Sequence, residues 1–164
     1  ALAVNLRAPI QLARALVPSM VERGSGHVVL ISSLNGKIAS PGASIYGATK
    51  FGLRGFGFSL NVDLRGTGVG VTTVFPGFIS EAGMFHRSGV KLPKGVHTRT
   101  PDDVAAAVVK GIETGSIEID VAPVSLRLGG WLFGISPALT GFIQRKLGGE
   151  TVSERIAEAH RAEH

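Results

Sequence analysis

Cysteine is absent from the 164 residues, which excludes disulfides and cysteine-ligated zinc and fits a reducing, cytoplasmic setting. Residues Ala1 to Arg14 contain no charged start followed by an unbroken apolar stretch, so no signal peptide is expected. The net charge is +5, but the basic residues form no block of five or six and are not interleaved with aromatics. A nucleic-acid partner is therefore not expected. Glycine is abundant, yet no G-x-G-x-x-G or G-x-x-x-G-x-G follows a strand-like run, so these residues offer no glycine-rich cradle for a pyrophosphate. Gly55-Phe56-Gly57 and Gly66-Thr67-Gly68 fall within or just after a helical segment and read as packing and capping. His160 and His164 stand four apart without a third ligand nearby, so no metal site is expected.

What is present suits one domain over residues 1–164, with 44% hydrophobic residues to build a core. Leu6, Ile10, Leu12, Ala13, Leu16, Val17, Met20 and Val21 recur at helical spacing, which predicts a helix from Asn5 to Arg23, with Pro18 inside it a point where a helix can kink or end early. His27 to Ser32 is apolar on both faces, as buried parallel strands are. Ser33 to Ser44 is a loop by its Asn-Gly and Pro-Gly pairs. A helix from Tyr46 to Leu64 and a strand from Val69 to Phe75 follow.

Residues 78–99 lack a clear period, which marks a functional loop over a site. Thr100-Pro101-Asp102-Asp103 starts a helix to about Glu113, with a threonine cap, proline at the first position and acids in the first turn. Ile117 to Val121 is a third strand. Strands alternating with helices predict an α/β fold with a parallel sheet.

Tyr46 and Lys50 stand four apart, which places phenol and ammonium on one helix face, where the positive charge favours the phenolate. Ser33 precedes the tyrosine by thirteen residues, at the end of a strand-like run. If its hydroxyl reaches the same point, it can hydrogen-bond the substrate oxygen that exchanges a proton with Tyr46. Each residue also has a plainer role available: a solvated lysine, a turn serine, an N-cap for Asn5 and a turn for Pro76-Gly77.

Asn5, Ser33, the Tyr46-Gly47-Ala48-Thr49-Lys50 run and Pro76-Gly77, in this order, resemble the short-chain dehydrogenase/reductase family. The resemblance implies a three-layer Rossmann-type sheet, with this chain resembling the C-terminal two-thirds of the domain, after the N-terminal strands and glycine-rich loop. It implies hydride transfer between NAD or NADP and a carbonyl or alcohol carbon. Tyr46 would be the general acid/base and Ser33 would orient the substrate oxygen. Lys50 would hold the nicotinamide ribose and lower the tyrosine pKa, and Asn5 would bend its helix and hold a water. Pro76, Gly77 and the Ile79 backbone would meet the nicotinamide. The residues that choose NADP over NAD do not fall in this stretch. The two long helices imply a homodimer or homotetramer.

Glu81 departs from the family pattern, since a threonine near the cofactor phosphates often stands there and a carboxylate would be repelled. Residues 124–146 form a hydrophobic segment, with Leu126, Leu128, Trp131, Leu132 and Phe133 among them. It reads as core or oligomer contact, as a wall for a hydrophobic substrate, or as a membrane-surface anchor, the last being the least favoured. Met84 and Phe85 in the loop also suggest a hydrophobic substrate, while His86 and His97 there have no spacing that demands a role. The competing reading is a catalytically silent module that acts through oligomerisation.

Overall fold

The computed structural model describes residues 1–90, 92 and 96–136, apart from the side chain of Met84. The expectations for His160, His164 and residues 137–146 of the hydrophobic segment lie outside the described residues.

Three parallel strands, β1 (Gly26–Ile31), β2 (Val69–Pro76) and β3 (Glu118–Val121), form one sheet in the order β1-β2-β3. Helices α1 (Ala8–Glu22) and α2 (Ser44–Asp63) lie on one face. Helix α4 (Pro101–Thr114) lies on the other, giving three layers. The short α3 (Gly83–Ser88) sits in the 78–99 loop, and α5 (Val124–Ile135) follows β3.

The strand period of two sorts the core residues between the faces. Leu30 and Val71 pack with Leu53 of α2 and with Val17 and Met20 of α1. Val74 and Val121 pack with Ala107 of α4. Two glycines allow the helices to approach closely: a Cβ at Gly57 would run into the Thr73 hydroxyl, and one at Gly111 would lie 2.6 Å from Thr72 Cγ2. At the carboxyl end of the sheet, Leu34, Phe75 and Ala122 form a separate buried cluster against Leu126.

Three expectations meet informative outcomes. Helix α1 runs through Pro18 without ending there. The Thr100 cap forms as the sequence predicts: its Oγ1 accepts the Asp103 amide at 3.1 Å, and the Asp103 carboxylate accepts the Thr100 amide at 2.9 Å. Over its described residues, 124–136, the hydrophobic segment is only partly core. Leu126 packs inward and Phe133 meets Phe51, whereas Val124, Leu128, Trp131 and Ile135 share an outer stripe and are 55–66% exposed. Among the described residues, no helix is long and apolar enough to cross a membrane.

Candidate active site

Parallel α/β sheets gather ligand-binding loops at the carboxyl ends of their strands. Here Ser33 follows β1, Pro76-Gly77 closes β2, and α2 begins one loop after Ser33. Tyr46 lies in the first turn of α2 and Lys50 one turn later. The two residues beside one another in sequence, Ser32 and Ser33, have opposite fates. Ser32 is buried, and its hydroxyl donates to the Lys50 backbone carbonyl at 3.0 Å. Ser33 accepts the Asn35 amide at 3.2 Å, and its hydroxyl stands near enough to the Tyr46 phenol to favour its ionised form.

The Ser33 loop lies directly on α2. A Cβ at Gly36 would stand 2.7 Å from Ser32 Oγ and 2.8 Å from the Lys50 carbonyl oxygen. Only a residue without a side chain allows that seam. Lys50 Nζ donates to the Ile31 carbonyl at 3.1 Å and stands 5.6 Å from the Tyr46 ring centre.

The titration of Tyr46 differs from the sequence expectation. Burial pushes its phenol above the usual value of 10.0, and the Ser33 hydrogen bond opposes that rise without overcoming it. Burial also lowers the Lys50 ammonium below its usual value. Ser33 is thus one group that favours the phenolate here, while the Lys50 ammonium is turned toward the Ile31 carbonyl.

Asn5 sits in a π-helical turn, Ala3–Arg7, leading into α1. Such turns bend helices and recur at functional sites. Asn5, Ile31 and Lys50 line one cleft of about 520 Å³ between α1 and β1. Asn5 and Lys50 thus border the same cleft.

At the end of β2, Gly77 donates its amide to the Val121 carbonyl at 3.0 Å. Ile79 forms a parallel bridge with Arg99, whose bonds run through Phe78 and Ser80. The Ile79 amide and carbonyl thus have no protein partner among the described residues. Glu81 is exposed and has φ 66°, the only positive φ outside glycine among the described residues. His86 and His97 are both exposed. Among the described residues no group of three potential metal ligands occurs.

The donor set suits the nicotinamide half of a dinucleotide. Lys50 uses one of its donors on Ile31 and retains others for vicinal hydroxyls, and Ile79 offers an unpaired amide and carbonyl of the kind a carboxamide matches.

Sequence reasoning missed a set of charges beneath the site. Lys37 Nζ lies 2.7 Å from Asp120 Oδ1 and 2.9 Å from Glu118 Oε2, and Arg54 Nε lies 2.6 Å from Glu118 Oε1. The only local signal is that Glu118 and Asp120 alternate onto one face of β3. Their partners are distant in sequence and join them only on folding.

Comparison with known proteins agrees with this geometry. A family profile described as short chain dehydrogenase matches residues 1–91. The chain is 44% identical over 117 residues to a protein named ketoacyl reductase HetN from Nostoc sp., covering 71% of this chain and 41% of that protein. A dehydrogenase/reductase SDR family protein 7-like of Drosophila melanogaster is 32% identical, with 87% of this chain and 46% of that protein covered. The chain thus spans less than half the length of these relatives. A short-chain dehydrogenase from Sphingobium yanoikuyae, solved in complex with NADPH, superposes with a TM-score of 0.67 at 28% identity, covering 85% of this chain and 54% of that one. The matched profile, the parallel three-layer sheet and the converging Ser33, Tyr46 and Lys50 lead to one assignment: this chain belongs to the short-chain dehydrogenase family.

Proposed function

We propose that the protein is an NAD(P)-dependent oxidoreductase that interconverts a carbonyl and an alcohol, with Tyr46 as general acid and base. The observation that carries this reading is the convergence of three side chains, with the Ser33 hydroxyl beside the Tyr46 phenol and Lys50 one turn along the same helix. Bound NAD(P)H supplies the hydride for the carbonyl carbon, and NAD(P)+ accepts it in reverse.

In the reducing direction Tyr46 gives its phenolic proton to the substrate oxygen while Ser33 holds that oxygen in line. The raised pKa of Tyr46 suits the acid role, because the phenol is fully protonated near neutrality. Lys50 holds the nicotinamide ribose and presents positive charge as the phenolate forms. Asn5, at the π-turn on the Lys50 cleft, holds a water through which the proton is replaced. Pro76, Gly77 and the Ile79 backbone meet the nicotinamide.

A hydrophobic substrate is in keeping with the Phe78–Phe85 pair of the 78–99 loop, whose ring centres are 5.0 Å apart. The relative named a ketoacyl reductase is in keeping with a carbonyl substrate. The test is Tyr46→Phe in the full-length protein. Turnover is expected to vanish while NADPH affinity changes little; turnover at the wild-type rate would overturn the assignment.

A further inference from the structure

The candidate site needs two separate pieces of chain held at one distance: the loop that carries Ser33 and the helix that carries Tyr46 and Lys50. Both pieces send a cation to the same carboxylate. Lys37 follows Ser33 by four residues, and Arg54 follows Lys50 by four. Glu118 of β3 receives both, with Lys37 Nζ 2.9 Å from Oε2 and Arg54 reaching its two oxygens at 2.6 and 3.2 Å. The two-point contact with Arg54 fixes direction as well as distance.

The clamp rests on a rigid, dry floor. Phe75 is fully buried, and its ring centre lies 4.1 Å from Lys37 Nζ and 5.7 Å from the Arg54 guanidinium. The Lys37 side chain is only 11% exposed, and Asp120 supplies its second anion at 2.7 Å. Two cations and two anions balance, so no charge is stranded at the edge of the core.

We propose that Glu118 is a positioning residue that sets the Ser33–Tyr46 distance by tying the Ser33 loop, through Lys37, and helix α2, through Arg54, to one point on β3. Glu118 touches neither Ser33 nor Tyr46 and acts through the two cations. The inference rests on the catalytic reading given above.

The test uses the full-length protein, NADPH and whichever of acetophenone and an acetoacetyl thioester the wild type reduces faster. Glu118→Gln keeps the shape and removes the charge, and Arg54→Met cuts only the tie to α2. Each is expected to lower kcat by about tenfold or more, as small misplacements of reacting groups do, with the KM for NADPH within about twofold. Arg54→Lys is expected to restore part of the loss. In a Ser33→Ala background, Glu118→Gln is expected to add no further loss, because its effect passes through Ser33.

A crystal structure of Glu118→Gln supplies the readout that needs no turnover: the Ser33 hydroxyl should be withdrawn from Tyr46. An unchanged Ser33–Tyr46 separation relative to the wild-type crystal structure, or a loss that is fully additive with Ser33→Ala, would overturn the inference. If Tyr46→Phe turned over normally, the catalytic reading would fail instead, so the two failures are distinguishable.

Discussion

Gly36 and Gly55 present the same substitution with opposite expected outcomes. At Gly36 an added Cβ would stand 2.8 Å from the Lys50 carbonyl oxygen, where ordinary contact begins near 3.4 Å. That oxygen belongs to the backbone of α2 and already accepts the Ser32 hydroxyl, so it cannot swing aside. The Ser33 loop must lift by about half an ångström to make up the difference. Overpacking of this kind costs about 1–3 kcal/mol. The lift separates Ser33 from Tyr46, so kcat should fall by about ten- to a hundredfold.

Gly55 lies on the exposed side of α2 with nothing within 4 Å of a Cβ. Gly55→Ala should therefore stabilise the protein by about 0.8–1 kcal/mol through helix propensity, with activity unchanged. Chemical denaturation and steady-state kinetics on the two full-length variants give both quantities. A Gly36→Ala protein that loses less than about 0.5 kcal/mol and keeps wild-type turnover would show that the seam between loop and helix is not rigid.

The neighbouring serines should differ in their effect on catalysis. Ser32→Ala removes a buried bond to the Lys50 carbonyl and should cost about 1 kcal/mol. Ser33→Ala also takes the acceptor from the Asn35 amide and should cost about 0.5–1.5 kcal/mol, but unlike Ser32→Ala it should lower kcat by about 10²–10³-fold, the usual effect of losing one donor to a developing oxyanion. Thr100→Ala breaks the capping box of α4 and should cost about 1 kcal/mol by denaturation, with kinetics unaffected. Glu118 supplies a pH test. Burial alone would raise its carboxyl, but hydrogen bonds from Arg54 and Lys37, with their charges, outweigh that and hold it below the ordinary 4.5. The folded pKa is thus the lower one, so Glu118 contributes stability above pH 4.5 that is lost as pH falls through the folded value. Glu118→Gln should accordingly show a shallower loss of stability than wild type as acid is added below pH 4.5; parallel curves would refute the linkage.

Much of the framework was legible because its signals are local. The Thr100 cap, the apolar period of α1 and the dense β-branched run of β1 concern residues within a few positions of one another, where backbone hydrogen bonding decides the outcome. The i to i+4 spacing of Tyr46 and Lys50 is also a local fact once the helix is granted. Pro18 does not end α1, and it sits on the exposed side of the helix, where water can reach the carbonyl it leaves without a partner. The titration of Tyr46 was read less well. Spacing shows that a lysine is near, but burial and the competing Ile31 carbonyl depend on where the sheet lies.

The sequence by itself determined the element order and the parallel α/β class, because periodicity and capping are written along the chain, and it offered Asn5, Ser33, Tyr46 and Lys50 as candidates through their resemblance to a family pattern. Only the tertiary structure decided that Ser32 turns to the α2 backbone while Ser33 turns to Tyr46, that Asn5 shares the Lys50 cleft, and that Glu118 joins Lys37 to Arg54. The residues in the last contact are 64 or more positions apart in sequence. Contacts of that range arise from how β3 is laid beside β2, and no local pattern of the chain encodes them.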